Sequence, residues 1–201
     1  MAKTPTGAGV GRLSTARIWA FAATGIPAAG LALATGTYLP PFYTGAAVGI
    51  SLLAYSLTTT IVRLVDLTFD PFLGWLMDRT HSRFGRFRPW YAVGVPISML
   101  GCYMLLNPEP GAGVTYLGLW YMVLWIGLSI TTLSHASWGA SLAINYHERS
   151  RIYGWMTALA PLGSVLLLML PFLTDHKVVL GDPKSFHTIS LILVISLPIG
   201  A

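Results

Sequence analysis

The sequence predicts an all-α membrane protein, on the basis of its composition, its long uncharged runs and the placement of its basic residues. Hydrophobic residues make up 54% of the 201-residue chain and charged residues 9%, whereas soluble domains carry about 25% charged residues. No charged residue occurs from 18 to 61, 90 to 108, 111 to 146 or 152 to 174. Each run reaches or approaches the roughly 20 residues that cross a bilayer as a helix.

These runs divide into six apolar segments, which predict six transmembrane helices. The helices are expected at 18–39, 47–75, 90–106, 114–144, 152–173 and 187–201. Pro40 and Pro41 are expected to end the first, because proline disrupts a helix interior. Residues 1–16 are predicted to form a tail and 17–201 one membrane domain. The sixth segment is short for a crossing helix, so we expect a chain that is cut inside or at the end of that helix.

The basic residues alternate from one loop to the next. Nine of the twelve Lys and Arg residues lie in the N-terminal tail, the second loop or the fourth loop, and the first and third loops have none. Cytoplasmic loops of membrane proteins carry this excess, so the pattern predicts a cytoplasmic N-terminus. Membrane topology therefore accounts for the net charge of +5, and we expect no nucleic-acid partner. The sequence has no phosphate-binding loop, no Cys and His pattern with metal-ligand spacing and no hydrolase motif, so neither an enzyme nor a cofactor is expected.

Three ionisable residues interrupt the second apolar segment. Arg63, Asp66 and Asp70 fall within an arc of about 60° on a helix, so they share one face. Each is unfavourable in hydrocarbon by roughly 2.5–3.5 kcal/mol, and such residues normally line a protein interior or a wet cavity on an ion or substrate path. The alternative is structural: Asp66 pairs with Arg63, and Asp70 helps a helix to end before Pro71.

The surrounding sequence resembles one transporter family. Residues 63–75 read R-L-V-D-L-T-F-D-P-F-L-G-W and residues 78–90 read D-R-T-H-S-R-F-G-R-F-R-P-W. Both strings are similar to motifs of the glycoside-pentoside-hexuronide:cation symporters, the melibiose-permease branch of the major facilitator superfamily. Residues 145–151, N-Y-H-E-R-S-R, look like the fourth-loop signature of the same family. The likeness covers most of the chain but only the N-terminal half of the usual twelve-helix length.

The resemblance implies a six-transmembrane-helix bundle equivalent to the N-terminal half of a major facilitator transporter. It also implies a bacterial inner-membrane symporter, which couples a cation to a sugar or related small organic solute by alternating access. A missing C-terminal six-helix half or a partner chain would then complete the protein. Two alternatives remain open: a non-transporting membrane subunit packed in a larger complex, and a facilitator-type transporter of lipids or amphiphiles.

The same resemblance implies a cation site. Asp66 and Asp70 occupy the places of the family's two cation-binding carboxylates, and Thr132 matches a hydroxyl that approaches them. Residues four apart on a helix stack, so the two carboxylates can converge on one ion. The coupling cation is expected to be Na⁺, Li⁺ or H⁺, since hard cations prefer oxygen ligands. Phe69 replaces a polar residue of the family pattern, which weakens the assignment to sodium.

Fewer residues match the family pattern at the positions that would contact the substrate. Gly30 and His135 stand where the melibiose permease grips sugar hydroxyls with carboxylates, so the galactoside grip is missing. His135 can contact substrate, respond to protons or simply pack, and Trp138 can stack on a sugar or pack. The full set of predicted substrate-binding residues is Arg63, His135, Trp138, Tyr38 and Gly30.

The second loop and its flanks are predicted to form a cytoplasmic gate. In the superfamily such a loop latches one state of the transporter and releases in the other. The predicted gate residues are Gly74, Asp78, Arg79, Arg83, Gly85, Arg86 and Arg88. The alternative is that these arginines only orient the helix in the membrane.

Overall fold

The computed structural model describes residues 14–45, 48–83, 85–109, 111–143 and 145–174, together with Leu191, Val194 and Ile195. This part of the chain contains helices and no strand, as the sequence predicts. The helices are α1 (Thr15–Ala23), α2 (Ile26–Thr44), α3 (Leu52–Arg79), α4 (Arg88–Leu106), α5 (Val114–Leu142) and α6 (Tyr146–Thr174). The sixth predicted segment, 187–201, lies outside the described residues except for the three named above.

Four described stretches are long and apolar enough to cross a membrane. They are Thr15–Thr44, which contains both α1 and α2, then Leu52–Arg79, Arg88–Leu106 and Val114–Leu142. A multi-pass membrane protein is therefore confirmed. The first stretch begins at Thr15, after the Ser14 side chain accepts a hydrogen bond from the Arg17 amide at 3.4 Å.

The first predicted helix ends later than expected and contains an interruption that was not predicted. The expected break at Pro40 and Pro41 is wrong, because α2 continues through both prolines to Thr44. A proline φ angle is compatible with a helix, and the buried side chains around this point, such as Leu39 and Tyr43, pack in the core. The interruption lies instead at Thr24–Gly25, just before Pro27 at the start of α2. Proline is favoured in the first turn of a helix, where its missing amide hydrogen costs no helical hydrogen bond, so Pro27 suits the start of α2.

Helix α3 also passes through a proline. It runs from Leu52 to Arg79 and includes Pro71, directly after Asp70. The structural alternative in which Asp70 ends a helix is therefore wrong. Because Pro71 has no amide hydrogen, the carbonyl of Leu67 loses its usual helical partner.

Helices α4 and α5 form the most extensive helix pair in the described structure. Their backbones approach closely at glycines. A Cβ atom on Gly101 would lie 2.6 Å from the Leu124 nitrogen, and one on Gly127 would lie 2.5 Å from the Ser98 nitrogen. Small residues at helix interfaces allow this packing in membranes. We call this contact the α4–α5 seam.

Helix α3 is held differently. It packs on α5 along one side, and Val62, Asp66, Leu73 and Met77 are among its buried residues. Its opposite side exposes apolar residues that include Leu52, Leu53, Leu57, Ile61, Leu64 and Leu67. Such a face suits lipid or further helices. The core that supports the site lies between α2, α4 and α5.

Candidate functional site

The two predicted acids lie one turn apart on α3 and face α5. Asp66 is 6% exposed and Asp70 is half-buried. The Oδ1 atom of Asp70 is buried and has no hydrogen-bond partner among the described residues. A buried carboxylate without a partner is unfavourable, so this atom is available to a ligand.

Ser129, which was not among the predicted site residues, is the direct partner of Asp66. Its hydroxyl on α5 donates a 2.8 Å hydrogen bond to Oδ1 of Asp66. Thr132 lies three residues further along α5, and its hydroxyl donates to the Leu128 carbonyl at 2.8 Å. The hydroxyl oxygen of Thr132 therefore keeps lone pairs for a cation. The three-residue spacing of Ser129 and Thr132, which places both on one helical face, could have identified Ser129.

Arg63 lies between the first acid and an aromatic ring. Its Nη1 is 3.4 Å from Oδ2 of Asp66, which forms the ion pair that the structural alternative predicts. The guanidinium carbon is also 3.4 Å from the centre of the Trp125 ring. The Arg63 side chain is 51% exposed. The guanidinium is thus shared between a carboxylate and a ring face.

A cavity of about 360 Å³ brings together five of the eight residues predicted to bind the cation or the substrate. Of the predicted residues, Arg63, Asp66, Asp70, Thr132 and His135 line it. Small residues of α1 and α2 form another part of its wall, among them Ala22, Ala28, Ala29 and Ala32. The space is therefore created by alanines opposite the charged side chains. A second groove, of about 490 Å³, is also lined by Arg63, Asp66 and Asp70.

His135 lines the cavity and also contacts the backbone at the break between α1 and α2. Its Nε2 atom is 3.0 Å from the Phe21 carbonyl oxygen and 2.8 Å from the Thr24 hydroxyl. A carbonyl only accepts, so Nε2 carries the hydrogen. The Tyr91 hydroxyl donates to the Thr24 carbonyl at 3.2 Å. Side chains of α4 and α5 therefore satisfy backbone groups that the break releases, as irregular backbone at membrane depth requires.

Three predicted substrate residues lie outside this cavity. Gly30 and Tyr38 are buried in α2 and do not line it. Trp138 packs edge-on against Phe21 at 5.2 Å, and the Arg88 guanidinium lies 4.9 Å from its ring centre. Their substrate contacts stay predictions to which this cavity adds no support.

The predicted gate residues surround the connection between α3 and α4. Arg86 donates a 2.5 Å hydrogen bond to Asp78, and Gly85 has a φ of +99°, a conformation that favours glycine. The Arg79 guanidinium lies 4.0 Å from the Trp75 ring centre. Arg83 is exposed in the same connection, and Arg88 begins α4.

Gly74, the first of the predicted gate residues, has no close neighbour in the described structure. A Cβ atom there would meet nothing within 4 Å. Where α3 ends, the Thr80 hydroxyl accepts a 3.0 Å hydrogen bond from the Trp90 indole in the first turn of α4, which links the two helix ends. The connection is thus held by polar and cation–π contacts, and its role as a gate stays a prediction.

Several known proteins that are similar to this chain are all named as symporters, transporters or carriers. The chain is similar to the uncharacterized symporter YnaJ of Bacillus subtilis, with 40% identity over 91 residues that cover 41% of this chain and 19% of the relative. It is 30% identical to the isoprimeverose transporter of Lactiplantibacillus pentosus over 65% of this chain and 28% of the relative. It is 26% identical to the glucuronide carrier protein homolog of Escherichia coli over 79% of this chain and 36% of the relative.

The chain thus spans between about a fifth and a third of the length of these relatives. All three are named as symporters, transporters or carriers, which agrees with the expectation that the protein is not an enzyme. The family model described as MFS/sugar transport protein matches residues 20–197. This match covers most of the chain, and the chain therefore belongs to the MFS/sugar transport protein family.

Proposed function

We propose that the chain forms the N-terminal six-helix half of a cation-coupled symporter for a sugar or a related small organic solute. Relatives named as symporters, and as carriers of glucuronides or isoprimeverose, support this function. They do not favour a non-transporting subunit or a transporter of lipids or amphiphiles. A C-terminal six-helix half, on the same polypeptide or on a partner chain, would complete the solute pathway. The N-terminus would be cytoplasmic and the membrane a bacterial inner membrane.

The charge balance of the α3 cluster carries the proposal. Asp66, Asp70 and Arg63 line both cavities, and with both acids ionised the three side chains carry two negative charges and one positive charge. One monovalent cation would neutralise the remaining charge. Asp70 contributes a buried oxygen without a partner, and the Ser129 and Thr132 hydroxyls add further oxygens nearby. Na⁺ or Li⁺ suits such oxygen ligands, and a proton on one carboxylate would neutralise the cluster equally well.

Cation binding would drive solute uptake by coupling two sites in one cavity. Once the charge on α3 is neutralised, the cavity can hold a polar solute and the half can move against its partner half around the site. Coupling requires that cation and solute stabilise the same state more together than separately. His135 lines the same cavity, and since its Nε2 atom bonds the Phe21 carbonyl, Nδ1 is the ring nitrogen left to accept a hydrogen bond from such a solute.

Uptake into vesicles that contain the whole transporter tests this function. Isoprimeverose, lactose and a phenyl glucuronide are supplied with an inward gradient of Na⁺, Li⁺ or H⁺. We expect one gradient to stimulate uptake of at least one solute, and Asp66→Asn and Asp70→Asn each to abolish that stimulation. The matched control is Glu109→Gln, which neutralises an exposed acid between α4 and α5. The proposal would be refuted if no cation gradient stimulated uptake by the wild type, or if both acid variants were stimulated as strongly as the wild type.

A further inference from the structure

The contact between Arg63 and Trp125 has a consequence for the cation site. The guanidinium carbon lies 3.4 Å from the Trp125 ring centre, well inside the limit of about 6 Å for a cation–π interaction. We propose that Trp125 is a positioning residue, which holds Arg63 back from Asp66 and thereby sets the affinity of the site for the coupling cation. This inference rests on the proposed function, because it assumes that a cation binds at Asp66 and Asp70.

The ion pair between Arg63 and Asp66 is looser than it could be. Its separation is 3.4 Å, whereas charge-assisted hydrogen bonds between a guanidinium and a carboxylate are about 2.7–2.9 Å long. Only one nitrogen–oxygen contact joins the two groups, so the pair is not the two-pronged arrangement that arginine favours. The guanidinium therefore divides its interactions between the carboxylate and the ring.

Arg63 is a tethered competitor of any cation that binds at the acids. It carries the same charge as the coupling cation, and its helix keeps it within reach of Asp66. If Arg63 closed fully on Asp66, it would occupy one carboxylate oxygen and neutralise the charge that attracts the ion. The other Asp66 oxygen already accepts from Ser129. The free space around the site thus depends on how far Arg63 is held away.

The ring is placed to provide this restraint. Trp125 belongs to α5, the helix that also supplies Ser129, and it lines the same cavity. It is partly buried, whereas half of the Arg63 side chain is exposed. A fixed ring on a well-packed helix can therefore hold a long side chain that otherwise has several conformations. Without the ring, the closest anion for Arg63 is Asp66.

Cation binding to the purified whole transporter in detergent tests the inference directly. Titration with NaCl or LiCl is followed by calorimetry, and the half-saturating pH of solute uptake is used if H⁺ drives transport. We expect Trp125→Leu to weaken cation binding about 3- to 10-fold, with a smaller change in the half-saturating concentration of isoprimeverose or lactose. Trp125→Phe keeps a ring face and should weaken it about twofold or less.

The matched control uses another tryptophan of the same helix. Trp120 is also partly buried, but it packs against Tyr116 and does not line the cavity. Trp120→Leu should leave cation affinity within about twofold of the wild type. Thermal unfolding of each variant shows whether the protein is folded.

A double variant shows whether Trp125 acts through Arg63. Arg63→Gln removes the competing charge, and we expect it to tighten cation binding at least about threefold. In that background Trp125→Leu, or Trp125→Phe if the leucine variant does not fold, should have no further effect on cation affinity. A double-mutant cycle of this kind isolates the interaction of the two side chains.

Several outcomes would overturn the inference. They are an unchanged cation affinity in Trp125→Leu, an equal loss with and without Arg63, and a weaker affinity in Arg63→Gln. Each can occur in a transporter that still loses cation coupling in Asp66→Asn, and then the proposed function stands while this inference fails. A wild-type protein that shows no response to Na⁺, Li⁺ or H⁺ refutes the proposed function and this inference with it.

Discussion

The α4–α5 seam and the α3 cluster are two helix contacts of opposite character that share α5. At the seam, Gly101 and Gly127 bring main chains together so closely that no side-chain atom fits between them. At the cluster, α3 meets α5 through Asp66, Ser129 and a shared guanidinium, beside open space. Dense packing permits one arrangement, whereas polar contacts around a cavity can exchange partners. The contrast teaches that α5 can serve as a fixed support on one side and as a wall of the binding site on the other.

The strongest test of this contrast is a bulky residue in the seam. Gly101→Leu should reduce the free energy of unfolding by about 3 kcal/mol, because the new side chain would meet the Leu124 backbone. Thermal unfolding of the purified transporter measures the loss. Gly36→Leu is the matched control, since Gly36 is exposed and a Cβ atom there meets nothing within 4 Å. Equal stability of the two variants would show that the seam is not closely packed.

A smaller effect is expected where α5 supports the break between α1 and α2. His135→Asn should lower the free energy of unfolding by about 1–2 kcal/mol, because the shorter amide does not reach the Phe21 carbonyl. His135→Gln places a donor near the position of Nε2 and should lose less than about 1 kcal/mol. Thermal unfolding again provides the measurement. The order of the two variants is the test, and the reverse order would contradict the role of Nε2.

The smallest effect should arise at the cluster itself. Ser129→Ala removes the 2.8 Å hydrogen bond to Asp66 and the hydroxyl oxygen beside the proposed cation. We expect cation binding to weaken about 3- to 5-fold, with little change in stability. Calorimetric titration with NaCl or LiCl measures it. Ser141→Ala serves as the control, because that hydroxyl is exposed and donates to the Trp138 carbonyl. A large loss of stability in Ser129→Ala would mean that this contact is structural.

Residues close together in sequence could be predicted from periodicity, whereas Thr132 was placed at the site only by the family resemblance. The shared face of Arg63, Asp66 and Asp70 follows from helical periodicity alone, and the structure places all three on the same cavity. Ser129 was missed because its role depends on which face of α5 meets α3, and the only sequence sign of that face was the predicted place of Thr132 three residues further on. The stacking of Arg63 on Trp125 was missed for the same reason.

The prolines show a second limit of sequence reasoning. Pro40 and Pro41 were expected to break a helix that in fact continues, whereas the real interruption precedes Pro27. The difference lies in the partners that surround each site. His135 and Tyr91 accommodate the released backbone groups near Thr24, and both come from distant parts of the chain. A proline shows where a helix can be interrupted, and whether the interruption occurs depends on the tertiary contacts around it.

Pro71 gives α3 a mechanical property that bears on both acids. Pro71 weakens the turn from Leu67 to Pro71. This turn covers nearly the same stretch of α3 as the turn from Asp66 to Asp70. Bending there changes the spacing of the two carboxylates more readily than bending in an intact helix would. An ion that draws the two carboxylates together would therefore change the curvature of α3. Ion binding and bending of the helix would then be coupled.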